Sequence, residues 1–319
     1  MAATGAAFAG LESFAPLLVV AFVGTLNPSS GDVSVFLPLE HARLAGAASG
    51  HARTALFARY SLAGSLSAAL GALAAVLPPW LAAHAGVPLL TGLRSMFGLY
   101  GAIGAGVWLL YRGLPPATAT TQARPAALGA SRAVVLRLAA LFSIDAFAGG
   151  LVVNALLALW LLERFGLSLG QAGVFFFTTG LLAAGSQLAA APVARRFGLL
   201  NTMVFTHIPA NLCLVGAALA STLPFALGLL FVRSALSQMD VPTRTAFVMA
   251  VVTPAERTAA SSFTAVPRSL ASAASPTLAG AWMAAGWLAA PLVACGLLKI
   301  AYDLALLFAF RKVRLPDAE

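Results

Sequence analysis

Charged side chains that lie inside long apolar stretches are the residues best placed to do chemistry in this chain. Asp145 lies well inside one such stretch, and Asn154 follows nine residues later. Charged groups within a bilayer are costly and often mark ion or substrate pathways. Asp145 is therefore a candidate for binding a proton or a cation; alternatively, backbone groups or Ser143 satisfy it near a helix break. Nine residues make about two and a half helical turns, so Asp145 and Asn154 occupy different helix faces.

Two arginines also lie deep in apolar stretches. Arg233 is expected near the middle of one membrane span, and Arg268 follows Pro267 well inside the next. Together they predict a transport pathway of positive character, which would suit an anionic substrate. The alternative is that Arg268 pairs with Asp145 or Asp240.

Part of the sequence occurs twice, at an offset of 208 residues. Residues 31–33 (GDV) recur as 239–241 (MDV), and 61–63 (SLA) recur as 269–271. Long repeats in an apolar chain are typical of transporters built from two similar halves. If one span and its loop take about 35 residues, the offset corresponds to roughly six helices.

The repeated acids Asp32 and Asp240 each lie beside a proline-containing segment that weakens a helix end. We expect them to form a symmetric cytoplasmic gate across the two-fold axis. In it, Asp32 would pair with Arg257 or Arg268, and Asp240 with Arg53 or Arg59. The gate candidates are Asp32, Arg53, Arg59, Asp240, Arg244 and Arg257.

Other ionisable residues show no pattern of a catalytic or metal site. Lys299 and Asp303 are four residues apart, which predicts an ion pair within one helix. The four histidines are scattered without metal-ligand spacing, and Cys213 and Cys295 form no CxxC pair. We therefore expect no metal and no cofactor. An intramembrane lipid-modifying enzyme is a remote alternative, because no acidic cluster or His–acid pair is evident.

The composition is that of a membrane protein. Of the 319 residues, 60% are hydrophobic and only 9% charged, and the mean hydropathy is +0.92. A soluble domain would carry about 25% charged residues. The net charge of +9 comes from dispersed loop residues, which favours contact with anionic lipid over nucleic acid.

Apolar runs long enough to cross a bilayer predict about nine helices. They cover residues 10–30, 54–77, 92–112, 133–160, 171–191, 199–221, 223–243, 258–283 and 287–310. Alternate loops on one side hold most of the arginines, whereas the other side holds little beyond Arg94 and Arg164. The arginine-rich side should be cytoplasmic, which places the carboxyl terminus inside.

The spans predict a partial amino-terminal half-bundle over residues 1–112, a cytoplasmic linker over 113–131 and a six-helix half-bundle over 132–319. The repeat pairs the first three spans with the last three, so the spans at 133–160, 171–191 and 199–221 have no counterparts in the first half. We expect the natural protein to begin upstream. The alternative is a genuine nine-span protein.

Several strings resemble those of a prokaryotic branch of the major facilitator superfamily. They are TLNPSSGD at 25–32, FARYSL at 57–62, RSALSQMDVPTR at 233–244, ERTAA at 256–260 and VPRSLA at 266–271. The resemblance implies twelve helices in two six-helix halves, an all-α polytopic bundle, with this chain starting around helix four. The loop signature of the superfamily survives only weakly as PVARRFG at 192–198, with Arg195 at the usual acidic position.

The resulting hypothesis is a secondary active transporter, not an enzyme, that moves a small solute by alternating access in the inner membrane of a prokaryote. The substrate is not predicted, and the coupling ion would be a proton or sodium. We expect a monomer in the lipid bilayer that binds no nucleic acid. The alternative is a non-transporting fragment of such a transporter.

Overall fold

The computed structural model describes residues 1–24, 50–113, 128–129, 131–253 and 256–311. Within these residues the regular structure is entirely helical, which confirms the predicted all-α class. The described residues fall into two compact units. The first contains the residues up to Gly113 together with Ser168–Phe177, and the second contains the remainder.

The first unit is built mainly from five helices that are short or strongly apolar. Its amino-terminal helix packs against the last of the five through glycines, because a Cβ on Gly5 would lie only 2.6 Å from the Cα of Gly101. Arg94 also forms an ion pair of 2.5 Å with Glu12. The helices are α1 (Ala2–Gly10), α2 (Phe14–Val23), α3 (Gly50–Ala74), α4 (Leu77–His84) and α5 (Leu89–Arg112).

The second unit holds the residues discussed below. Its helices are α6 (Arg132–Gly150), α7 (Asn154–Phe165), α8 (Leu169–Phe197), α9 (Leu199–Leu219), α10 (Leu223–Ser237), α11 (Asp240–Val251), α12 (Arg257–Ala284) and α13 (Ala290–Phe310). The beginning of α8 belongs to the first unit. α12 packs along α6, and α9 packs between α10 and α13.

Six stretches of the described helices are long and apolar enough to cross a membrane, and α2 and α10 are shorter apolar helices. The predicted span at 258–283 corresponds to α12, which is long enough but falls outside this set. Its Arg257, Arg268 and repeated serines lower its hydropathy. One face of α12 is buried against α6, so its polar residues need not all meet lipid.

Two of the predicted spans are interrupted. The span at 133–160 breaks at residues 151–153, between α6 and α7, and the span at 223–243 breaks at 238–239, between α10 and α11. The second break follows from Pro242, whose missing N–H would otherwise donate to the carbonyl of Gln238. Proline therefore acts here by ending one helix just before the next begins.

α6 and α12 approach closely at one glycine. A Cβ on Gly150 would clash with Ser275 Oγ and would lie 2.6 Å from the carbonyl oxygen of Ser272. Small residues permit such close helix contacts within membranes. The adjacent apolar core combines residues of α6, α9, α11, α12 and α13, including Phe142 and Tyr302.

Candidate functional site

Asp145 lies at the centre of a buried ion-pair network in the second unit. Its carboxylate is held by Lys299 Nζ at 2.5 Å and by Arg244 Nη1 at 3.1 Å. Asp145 is only 3% exposed, so two cations from two other helices replace its hydration. The prediction that Asp145 is buried is confirmed, whereas its function stays a prediction. The alternative of local satisfaction is wrong, since Ser143 Oγ donates instead to the carbonyl oxygen of Ala139.

Arg244 joins two candidates that the sequence assigned to different sites. Besides Asp145 it binds the carboxylate of Asp240, one turn earlier in α11, and its guanidinium lies 5.4 Å from the ring centroid of Phe142. Such a contact places the cation over the face of an aromatic ring. The coupling candidate Asp145 and the gate candidates Asp240 and Arg244 therefore form one network across α6 and α11.

The predicted ion pair between Lys299 and Asp303 is wrong. Both residues lie on α13 and are buried, but Lys299 turns to Asp145 on α6, whereas Asp303 turns to His207 on α9. An ion pair within a helix contributes only about 0.2–0.5 kcal/mol on a surface. Lys299 and Asp303 instead each take a partner that faces them from a neighbouring helix.

His207 is a site residue that the sequence reasoning missed. Its Nδ1 lies 3.0 Å from Asp303 Oδ1, and the side chains are 5% and 1% exposed. The imidazole ring also meets the Tyr302 ring edge-to-face at a centroid distance of 6.4 Å. The signal in the sequence was a lone histidine within a long apolar run. It did not identify the acidic partner, because Asp303 is 96 residues away.

Some buried polar atoms around this network have no hydrogen-bond partner among the described residues. They include Asp303 Oδ2, Tyr302 Oη, Asn211 Nδ2, Ser275 Oγ, and the Nε atoms of Arg233, Arg244 and Arg268. Buried polar groups without partners are uncommon in native proteins and often point to water, ions or ligands.

Arg268 and Arg233 form no ion pair with any acidic residue in the described part of the chain. Arg268 lies within electrostatic reach of Arg244, Asp145 and Asp240, so the predicted alternative of direct pairing is not realised there. Arg233 is close instead to Cys213 and Cys295. Both arginines are half-buried.

Asn154 stands apart from this network. It is exposed and begins α7 after the break at 151–153, so the expected placement of Asp145 and Asn154 on one continuous helix is wrong. Among the gate candidates, Asp32 lies outside the described residues. The same holds for the side chains of Arg53, Arg59 and Arg257, and the gate stays a prediction.

A second polar cluster joins the residues before α6 to the loop before α12. Glu256 accepts hydrogen bonds from the backbone N–H groups of Gly129 at 2.5 Å and Ser131 at 3.1 Å, and from Thr253 Oγ1 at 3.0 Å. Hydrogen bonds from Ser131 first, then from Gly129, lower the pKa of the Glu256 carboxyl to about 2. The carboxylate is therefore ionised at neutral pH and ties these two segments together.

No grouping of three or more His, Cys, Asp or Glu side chains suited to a metal ion occurs among the residues that the structure describes. The candidate site thus consists of three acids (Asp145, Asp240, Asp303), three cations (Arg244, Arg268, Lys299) and one histidine (His207).

Comparison with known proteins supports the fold. The structure matches a bacterial homolog of the human lysosomal transporter Spinster, solved in an inward-facing and unoccupied conformation, with a TM-score of 0.60 and 17% identity over 97% of this chain and 78% of that one. The sequence is 23% identical to the uncharacterized membrane protein YJR124C of Saccharomyces cerevisiae, covering 88% of this chain and 70% of the yeast protein. No protein-family profile matches the chain.

The class of protein follows from these observations. The chain is a multi-pass, all-α membrane protein with the fold of a major facilitator transporter. The resemblance predicted from its motifs is thereby confirmed at the level of the fold.

Proposed function

We propose that the protein is a secondary transporter that moves a small solute across a prokaryotic inner membrane by alternating access. The main observation in support of this proposal is the charged network around Asp145, which lies within apolar helices of a transporter fold. Ionisable groups at membrane depth are kept where an ion or substrate pathway requires them. In this proposal Asp145 holds α6, α11 and α13 in register while the solute binds nearby.

The ion pairs of the site favour a solute with an anionic group. Asp145 and Asp240 are held by Lys299 and Arg244, whereas the guanidinium of Arg268 is within electrostatic reach of both acids and forms no ion pair with an acidic residue that the structure describes. A half-buried guanidinium without a counter-ion is costly. A carboxylate or phosphate group of a solute would be a direct partner for Arg268, and an arginine suits both groups through paired N–H donors.

Counterflow tests transport and charge preference together. The purified chain is reconstituted into liposomes preloaded with acetate, succinate or inorganic phosphate, and entry of the same radiolabelled compound is measured. A carrier working by alternating access exchanges label inward without an external energy source. We expect exchange of at least one of these anions and loss of exchange in Arg268→Gln.

Arg137→Gln provides the matched control, because Arg137 is an exposed arginine on α6. This variant should exchange like the unaltered protein. Equal exchange by Arg268→Gln and the unaltered protein would contradict the role of Arg268. Exchange of neutral sugars or amines with none of the anions would contradict the proposed charge preference.

A further inference from the structure

We propose that a cavity at one end of the second unit binds the headgroup of an anionic phospholipid. The cavity has a volume of about 480 Å³ and lies between the end of α7, the end of α9 and the turn that joins α12 to α13. This volume is in the range of about 300–1,000 Å³ that small-molecule sites occupy. The cavity shares no residue with the network around Asp145. It is lined by Trp160, Arg164, Ala218, Leu219 and residues 286–290.

The turn between α12 and α13 forms one wall of this headgroup cavity. Gly286 has a φ of +85°, a conformation that favours glycine. The N–H of Trp287 donates to the carbonyl oxygen of Trp282 at 2.9 Å, and the N–H of Gly286 donates to that of Met283 at 3.0 Å. This pair of bonds is a Schellman cap, which ends α12 sharply. The chain then runs along the cavity until α13 begins.

Trp160 supplies an unused hydrogen-bond donor in another wall. Its side chain is 0% exposed, and its Nε1 has no hydrogen-bond partner among the residues that the structure describes. An edge-to-face contact with Phe165, at a centroid distance of 5.4 Å, holds the ring. An indole N–H can only donate, and a buried donor without an acceptor is costly. An oxygen atom held in the cavity would be that acceptor.

Arg164 gives the cavity a positive charge. It is the one charged side chain among the lining residues, and it forms no ion pair with an acid in the described part of the chain. The carboxyl end of α9 and the amino end of α13 both reach the cavity. Their helix dipoles have opposite signs there and offset each other. Arg164 therefore determines the sign of the charge that the cavity attracts.

The donors of the cavity fit a phosphodiester. An arginine binds phosphate oxygens through paired N–H groups, and the Trp160 indole can donate to an oxygen of the same group. The lining residues include no acidic side chain, so the ammonium of a zwitterionic headgroup would find no counter-ion in the cavity. An anionic headgroup is therefore favoured over a zwitterionic one.

The apolar rim favours a lipid over free phosphate. Leu219 is 70% exposed and Trp287 is 63% exposed. The cavity lies where α13, a helix long and apolar enough to cross a membrane, begins, and tryptophans collect at the level of lipid headgroups. The acyl chains of a phospholipid would cover these two side chains, whereas inorganic phosphate would leave them exposed.

Native mass spectrometry of the full chain, purified in an uncharged detergent and titrated with phosphatidylglycerol, measures the dissociation constant of the first bound lipid. We expect Arg164→Gln to raise this constant about tenfold, because the variant removes a charge-assisted hydrogen bond. Trp160→Phe keeps an aromatic ring but removes the donor, and should raise the constant about fivefold. Arg164 is exposed, so its variant should fold even if the Trp160 variant does not.

Arg196→Gln is the matched control. Arg196 is also exposed, and its guanidinium lies 5.5 Å from the ring centroid of the neighbouring Phe197, as that of Arg164 lies 5.8 Å from Phe165. It does not line the headgroup cavity. The Arg196 variant should bind phosphatidylglycerol like the unaltered protein.

Three results would overturn the proposal. One is an equal dissociation constant for phosphatidylglycerol in Arg164→Gln and the unaltered protein. The second is binding of phosphatidylcholine as tightly as phosphatidylglycerol, which would exclude selection by headgroup charge. The third is displacement of phosphatidylglycerol by excess inorganic phosphate, which would assign the cavity to the free anion. The assay measures no transport, so a failure of counterflow contradicts the proposed function without changing this outcome.

Discussion

The carboxylate of Glu256 accepts a hydrogen bond from the backbone N–H of Ser131, which is 125 residues away in the sequence. Ser131 immediately precedes α6, and Glu256 immediately precedes α12. The starts of the two helices that pack most closely in the second unit are therefore fastened by one side chain. This fastening depends on the charge of a single carboxylate.

Neutralising Glu256 should weaken the protein in a pH-dependent manner. The pKa of Glu256 is lowered from 4.5 to about 2, so its stabilising effect is fully present above about pH 4.5 and is lost as the pH falls towards 2. We expect Glu256→Gln to lower the thermal unfolding temperature at pH 7 and the difference to shrink as the pH falls through that window. Thermal unfolding in detergent, followed by tryptophan fluorescence, measures this difference in unfolding temperature.

Glu163→Gln, at an exposed position in α7, is the control and should not change the unfolding temperature in this way. A loss of stability in Glu256→Gln that is the same at every pH would contradict this account.

Adding one methyl group at Gly150 should separate α6 from α12. A Cβ there meets Ser275 and Ser272, and overpacking of this kind costs about 1–3 kcal/mol. Gly149→Ala is the matched control, because its Cβ would lie 3.7 Å from Lys299 Nζ, an ordinary contact. Gly150→Ala should unfold at a lower temperature than Gly149→Ala. Equal stability of the two variants would show that the close approach is not required.

Removing the charge of Asp145 should destabilise the second unit strongly. Asp145→Asn leaves Lys299 and part of Arg244 uncompensated in a buried site, and breaking such a pair costs about 3–5 kcal/mol. The double variant Asp145→Asn with Lys299→Gln removes one charge of each sign and should recover much of this loss. Unfolding of the single and double variants in a mutant cycle measures the coupling. No recovery in the double variant would argue against a direct interaction.

Removing the hydroxyl of Tyr302 should be nearly neutral for stability. Tyr302 Oη is buried without a hydrogen-bond partner among the described residues, so Tyr302→Phe removes a polar group and keeps the ring. We expect the unfolding free energy to change by less than about 1 kcal/mol, or to rise. A larger loss would reveal that a water or ligand hydrogen bond holds the hydroxyl.

The sequence predicted the helical membrane class and the burial of Asp145, because both depend on local apolar character. It failed where side chains choose among partners from distant segments. Lys299 and Asp303 have a spacing that allows an ion pair, yet Asp145 and His207 face them from other helices. Continuous hydropathy hides the helix breaks at 151–153 and 238–239, although Pro242 indicated a weakened helix end beside the second of them.

Lys299 and Asp303 bind acceptor and donor groups on two different helices, and these two contacts restrict how the second unit can move. Lys299 fastens α13 to α6, and one turn later Asp303 fastens it to α9. A rotation of α13 about its axis by one residue, about 100°, would break both contacts at once. We therefore expect α6, α9 and α13 to move as one rigid body in any conformational change. Bending should be concentrated at the helix breaks after Gly150 and Ser237.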